Sequence, residues 1–206
     1  LAQQMLLLNP PGLPREAVRS ITIQALARQT VATQELLALT QALERAAVPA
    51  LVVKGAVCRS LYPTPDLRPS SDEDILIRPE DLARAEEVFR QRGYSLQEEG
   101  DPGEAVRTWC APGLRVELHR SLCGDLTVAG HEVESWFAGC FNRSMIWNVG
   151  EGTVRTLGLQ DHLLYLLLHF YKHFLAGGVG IRQLCDICLF IRQRSGGLDW
   201  PALWGT

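Results

Sequence analysis

The succession of patterned segments predicts an α+β (α/β) domain, a small sheet flanked by helices and followed by a C-terminal helical segment. Three observations carry this. Apolar residues recur at three and four positions before residue 48. Short apolar or alternating runs bounded by Gly and Pro follow between 49 and 158, and two strongly apolar helical stretches come after 159.

The elements follow in order. Pro10, Pro11, Gly12 and Pro14 form a breaker cluster, so helix begins near Arg15. Val31, Leu36, Leu37, Leu39 and Leu43 keep helical spacing, which predicts one or two amphipathic helices ended by Pro49. Ala50-Leu51-Val52-Val53 is a short continuous apolar run, the pattern of a buried strand. A short helix is expected over 56–61, and Pro63, Pro65 and Pro69 make 62–71 a loop. A second strand covers 72–77. Pro79-Glu80-Asp81 starts a helix, with Pro in the first turn and acids at the positive end of the dipole, and Gly93 stops it. Strands are expected over 94–97, 105–110 and 114–118, the last two joined by a Pro112-Gly113 turn. A weaker region holds a short helix near 132–137 and strands near 144–149 and 153–157. Helices over 161–175 and 181–193 meet at Gly177-Gly178, and 198–206 reads as the start of another helix, so the chain is expected to run on past Thr206. The expected organisation is residues 1–48 as N-terminal helices packed on the core, 49–158 as the α/β domain, and 159–206 as the helical segment.

Composition narrows the function classes. Of 206 residues, 47% are hydrophobic and 21% charged, the balance of a globular protein rather than a disordered one. The net charge of −3 lacks the basic excess that a long nucleic acid partner calls for. Residues 163–174 form the longest apolar run, and His169, Lys172 and His173 interrupt it, so no membrane span is expected. Residues 5–8 are too short for the core of a signal peptide. The cysteines at 58, 110, 123, 140, 185 and 188 are scattered through apolar patterns and read as reduced thiols of a cytoplasmic protein.

The chemistry concentrates in Ser71-Asp72-Glu73-Asp74-Ile75-Leu76-Ile77. On a strand, Asp72 and Asp74 point the same way, with Cα atoms roughly 6.5–7 Å apart, and such a pair can share a divalent cation. Arg115-Val116-Glu117-Leu118-His119 alternates polar and apolar, so Glu117 and His119 share a face, and a strand placed beside the first would let Glu117 complete a three-carboxylate site. Val53-Lys54-Gly55-Ala56 is a strand, a glycine and a helix start, a place where backbone N–H groups can meet phosphate and Lys54 can add charge.

Later residues leave several readings open. His169 and His173 are four apart on one helix, and Cys185 and Cys188 three apart on the next, the components of a zinc site built from two helices. Otherwise His169, Lys172 and His173 face a nucleotide or its acceptor, or are hydrogen-bonded histidines of a partly buried helix. Arg182 either pairs with Asp186 four residues on or clamps a phosphate.

Taken together, Val53-Lys54-Gly55, Leu61-Tyr62-Pro63, Arg68-Pro69-Ser70-Ser71-Asp72-Glu73-Asp74, Ile77-Arg78-Pro79-Glu80-Asp81, Gly93-Tyr94, Glu117-Leu118-His119, the run from His169 to His173, and Arg182-Gln183-Leu184-Cys185-Asp186 resemble a bacterial family of uncharacterised nucleotidyltransferases within the DNA polymerase β-like superfamily. The resemblance spans roughly residues 43–200. It implies a small mixed sheet and the transfer of a nucleoside monophosphate from a nucleoside triphosphate to a small-molecule or protein hydroxyl, with pyrophosphate released. It implies Mg²⁺ or Mn²⁺, two ions in all, held by Asp72, Asp74 and Glu117. It also implies nucleotide contacts from Lys54, Gly55, Arg68, His169, Lys172, His173 and Arg182. Two positions depart from the superfamily pattern: Ala56 stands where a Ser or Gly usually follows the glycine, and Glu73 replaces an apolar residue between the acids, needing a partner such as Arg68 or Arg78. These departures keep a second reading in play, a catalytically degenerate module that binds nucleotide or a partner.

Overall fold

The structure, a computed structural model, describes residues 14–97, 105–124, 126–128 and 130–204. The breaker residues at 10–12 lie outside them. A single long helix, α1 (Arg15–Arg45), takes the place of the one or two expected. Its buried stripe is Leu36, Leu39 and Leu43 at three- and four-residue spacing, while Val31 is 45% exposed. Full burial of each leucine stabilises the fold by about 1.5–3 kcal/mol.

β1 (Ala50–Val53) leads straight into the short α2 (Gly55–Arg59), and β2 (Glu73–Ile77) follows the proline loop. A 3₁₀ turn at Pro79–Asp81 opens α3 (Leu82–Gln91), which leads to β3 (Ser95–Leu96), β4 (Val106–Ala111) and β5 (Leu114–His119). These strands make one sheet in the order β1-β2-β5-β4-β3. β2 and β5 run parallel, and the other neighbours are antiparallel, so the sheet is mixed. The parallel pair needs a crossover, and α3 with the β3–β4 strands supplies it. Gly113, at φ +101°, makes the tight β4–β5 turn that a side chain would strain.

A small hairpin, β6 (Thr127–Val128) and β7 (His131–Glu132), was not visible in the pattern. The helix expected near 132–137 is a 3₁₀ turn at Glu134–Phe137. β8 (Met145–Val149) and β9 (Gly152–Thr156) form a second hairpin. Then come α4 (Leu159–Leu175), α5 (Ile181–Arg194) and the short α6 (Trp200–Trp204). No described helix is long and apolar enough to cross a membrane.

Alternation along the strands divides the interior. Val52, Ile75, Ile77, Val116 and Leu118 pack with the α1 leucines and with Val88 and Phe89 of α3. Leu51, Val53 and Leu76 face the other way, onto Leu122, Cys123, Val133 and Phe137 and onto Tyr165 and Leu168 of α4. α4 belongs to both clusters, since Leu163 and Leu166 join the first, together with Ile187 and Phe190 of α5. On β2, therefore, Asp74 lies on the α4 side and Glu73 on the α1 side.

Candidate active site

Register brings the acids together. Asp74 of β2 is the direct partner of Glu117 on parallel β5, with Val53 opposite on its other flank. Asp74, Glu117 and His119 each offer a ligand atom, and these atoms lie within 4.8 Å of one another, the arrangement a metal ion needs. Asp72 just precedes β2, half-buried, and is not in that trio. Its charge nonetheless acts on Glu117, whose carboxyl is pushed above its usual range first by burial, then by Asp74 and Asp72.

Asp74 is 2% exposed. Its Oδ1 lies 3.0 Å from His119 Nε2. Its Oδ2 lies 3.1 Å from Lys54 Nζ, an ion pair outside hydrogen-bond geometry that leaves this buried oxygen without a hydrogen-bond partner. Burial alone would raise the Asp74 carboxyl. The His119 hydrogen bond and the Lys54 charge outweigh it, so the group is held well below the carboxylate range and stays an anion. A buried anionic oxygen with an unused lone pair, beside a second carboxylate and an imidazole, fits a divalent cation.

Lys54 reaches this point through an unusual backbone. Its φ of +61° and ψ of −98° are costly for a residue with a side chain. His162, at the start of α4, holds it there. Thr156 Oγ1 donates to Val52 O at 2.6 Å and so accepts from His162 Nδ1 at 3.2 Å, which leaves His162 Nε2 to accept the Lys54 N–H at 3.4 Å. Burial lowers the His162 pKa to about 3, so the ring is the neutral acceptor this requires. Lys54 Nζ also meets His169 Nε2 at 3.1 Å, and His173 Nε2 stands 3.2 Å further along. Burial first, then the Lys54 charge, lowers the His169 pKa to about 3.

Gly55 and Glu73 meet behind the site. Ala56 N–H donates to Glu73 Oε2 at 2.6 Å, and Arg59 donates to Oε1 at 2.8 Å and to Thr33 of α1 at 3.1 Å. The partner of Glu73 is thus Arg59, not Arg68 or Arg78. Arg78 lies 4.8 Å over the Phe141 ring. Arg68 is buried in a forked pair with Asp186 and donates from Nη1 to Gly55 O at 3.4 Å, so its guanidinium is spent within the fold. Tyr62 donates to the same Asp186 at 2.7 Å. Asp186 is therefore unavailable to Arg182, which instead donates to Pro69 O at 2.8 Å and ties α5 to the loop before Asp72. The expected Arg182–Asp186 surface pair does not form.

Among the described residues, His169, His173, Cys185 and Cys188 do not gather into a metal-binding group. Both cysteines are exposed, and His169 turns inward to Lys54. Lys172 is exposed beside His173. Beyond Asp72, a cleft of about 440 Å³ opens between α1 and the β4–β5 turn, flanked by Arg28 and Arg115.

Sequence reasoning placed His119 on the face of Glu117 without giving it a role, and passed over His162 and Arg59. The signal for His162 was present: positions 162, 169 and 173 fall on one helical face. Arg59 left none, because its pairing depends on how α2 sits against β2.

Solved structures with the same fold include that of the antibiotic-resistance factor ANT(2'')-Ia in solution. It is 12% identical with a TM-score of 0.54, covering 82% of this chain and 86% of that one. Another is the crystal structure of ANT(2'')-Ia in complex with adenylyl-2''-tobramycin, 11% identical with a TM-score of 0.51, covering 80% of this chain and 90% of that one. No curated protein sequence matches the chain. Among protein families, the one described as uncharacterised nucleotidyltransferase matches over residues 1–206, and the chain belongs to that family.

Proposed function

We propose that the chain is a divalent-metal-dependent enzyme that moves a nucleoside monophosphate from a nucleoside triphosphate to a hydroxyl of a small molecule or protein, releasing pyrophosphate. The observation that carries this is the register pairing of Asp74 with Glu117, which sets two carboxylates and the His119 imidazole around one point. Asp72, Asp74 and Glu117, with His119, would hold Mg²⁺ or Mn²⁺. Bound there, two such ions would supply charge to the phosphoryl oxygens and lower the pKa of the acceptor hydroxyl. Glu117, half-buried beside Asp74 on the neighbouring strand, would take the hydroxyl proton. Lys54 would meet the outer phosphates, and His173 and Lys172 line the outer rim. The adenylylated small molecule bound to ANT(2'')-Ia supports a small-molecule acceptor, and the charge of −3 weighs against a long nucleic acid.

One observation favours the second reading, a module that binds nucleotide without turnover. The Ala56 N–H at the start of α2 already donates to Glu73, so that donor is not free for phosphate. Incubation with Mn²⁺ or Mg²⁺ and each labelled triphosphate separates the two: pyrophosphate release supports the enzyme, and binding without release supports the module. Asp72→Asn and Asp74→Asn are each expected to abolish transfer while the far-ultraviolet circular dichroism stays that of the parent. Undiminished turnover by either variant refutes the assignment.

A further inference from the structure

Asp74 Oδ2 is the one buried carboxylate oxygen at the site with no hydrogen bond, and the Lys54 ammonium stands 3.1 Å from it. The other oxygen is engaged by His119. We propose that Lys54 is a tethered counter-cation: it occupies the Asp74 Oδ2 position when no metal is bound, competes with the divalent ion for it, and moves to the triphosphate once ion and nucleotide enter together. This rests on the reading of Asp74 as a metal ligand.

Four features of the chain converge on this. An ion bound at Oδ2 would lie against the ammonium, and like charges at that separation repel strongly where water is scarce. The site therefore cannot keep Lys54 and a divalent ion on one oxygen. The ammonium is also delivered on a backbone of positive φ, where His162, itself braced by Thr156, accepts the Lys54 N–H. A Lys54 that leaves Oδ2 keeps one partner, because His169 Nε2 also accepts from the ammonium at 3.1 Å. A flexible four-carbon stem with a compact charge and three donors can hand over between a carboxylate, an imidazole and a phosphate, which a rigid guanidinium fork does less well. The triphosphate then replaces Asp74 as the anion that Lys54 neutralises, so nucleotide and metal each favour binding of the other.

The test uses the full chain and Mn²⁺, titrated by the disappearance of the free-ion electron paramagnetic resonance signal. Without nucleotide, Lys54→Met is expected to bind Mn²⁺ at least about tenfold more tightly than the parent, and Lys54→Arg no more tightly (a tenfold change is 1.4 kcal/mol). With a non-hydrolysable triphosphate present, the parent is expected to gain Mn²⁺ affinity and Lys54→Met to gain less. Folded Lys54→Met that binds bare Mn²⁺ no more tightly than the parent overturns the proposal while leaving the metal site standing. Mn²⁺ binding that Asp74→Asn leaves unchanged overturns both this proposal and the metal site. Should Lys54→Met fail to fold, the parent answers alone. Lys54 and Lys172 are its two lysines, so ¹⁵Nζ-lysine NMR shows two ammonium signals, assigned with Lys172→Arg. Saturating Mg²⁺ is expected to move the Lys54 signal and not that of Lys172; a stationary Lys54 signal overturns the proposal.

Discussion

Glu73 Oε2 occupies the space that a side chain at Gly55 would need: a Cβ there would stand 2.0 Å from that oxygen. The carboxylate cannot step aside cheaply, because it is 1% exposed and fixed by Arg59 and the Ala56 N–H. Gly55→Ala is therefore expected to lower stability by about 1–3 kcal/mol, the usual cost of overpacking. Urea denaturation checks it: the midpoint falls while the slope is kept. An unchanged midpoint would mean that the carboxylate relocates without loss.

Asp186 joins two distant pieces of chain. It accepts from Arg68 and Tyr62 of the proline loop while sitting on α5. Asp186→Ala would leave the Arg68 guanidinium buried and unpaired, at a cost of about 3–5 kcal/mol. Tyr62→Phe removes one hydrogen bond only and should cost about 1 kcal/mol. Because Arg68 lies in the loop that leads to Asp72, Mn²⁺ affinity should fall with the first substitution and hold with the second. Equal losses from both would remove Asp186 as the organiser of this loop.

Acid should weaken the fold through His162. The unfolded chain takes a proton on this ring near pH 6.5 and the folded chain only near about 3, because burial disfavours the cation. The stability that depends on the neutral ring is thus complete above about pH 6.5 and is lost as pH falls from there toward about 3, at about 1.4 kcal/mol per pH unit. His162→Asn lacks the titrating group. The stability gap between parent and variant should narrow steadily from pH 7 to pH 4. A constant gap would show that the ring titrates alike in the folded and the unfolded chain.

Zinc should be absent from the histidine and cysteine helices. Elemental analysis of protein purified without chelator, and of Cys185→Ser with Cys188→Ser, is expected to give the same metal content and the same denaturation midpoint. Zinc in the parent that the double variant lacks would contradict the geometry.

The strands were legible where alternation or an apolar run met a turn residue, as at Ala50–Val53 and Leu114–His119. The pairing of Asp74 with Glu117 was legible only as a condition, since face follows from period two but neighbourhood depends on sheet order. What stayed hidden was everything set by tertiary packing. Arg68 reads as a cation of the motif that leads to Asp72, and only the position of α5 shows it bound to Asp186. The hairpin at 127–132 escaped because strands of two residues carry no period. Glu73 read as an anomaly in a buried strand until Arg59 and the α2 amide came to meet it.

β2 thus serves two masters on its two sides. The residue facing α1 secures the glycine turn and the helix behind it, and the residue facing α4 gathers Lys54 and His119. The two tasks use separate partners, so mutational drift on one side leaves the other intact. A descendant that exchanged Asp74 for a neutral residue would keep its scaffold, its turn and its helix, and could persist as a silent copy, whereas one that lost Glu73 would forfeit the scaffold first and the chemistry along with it.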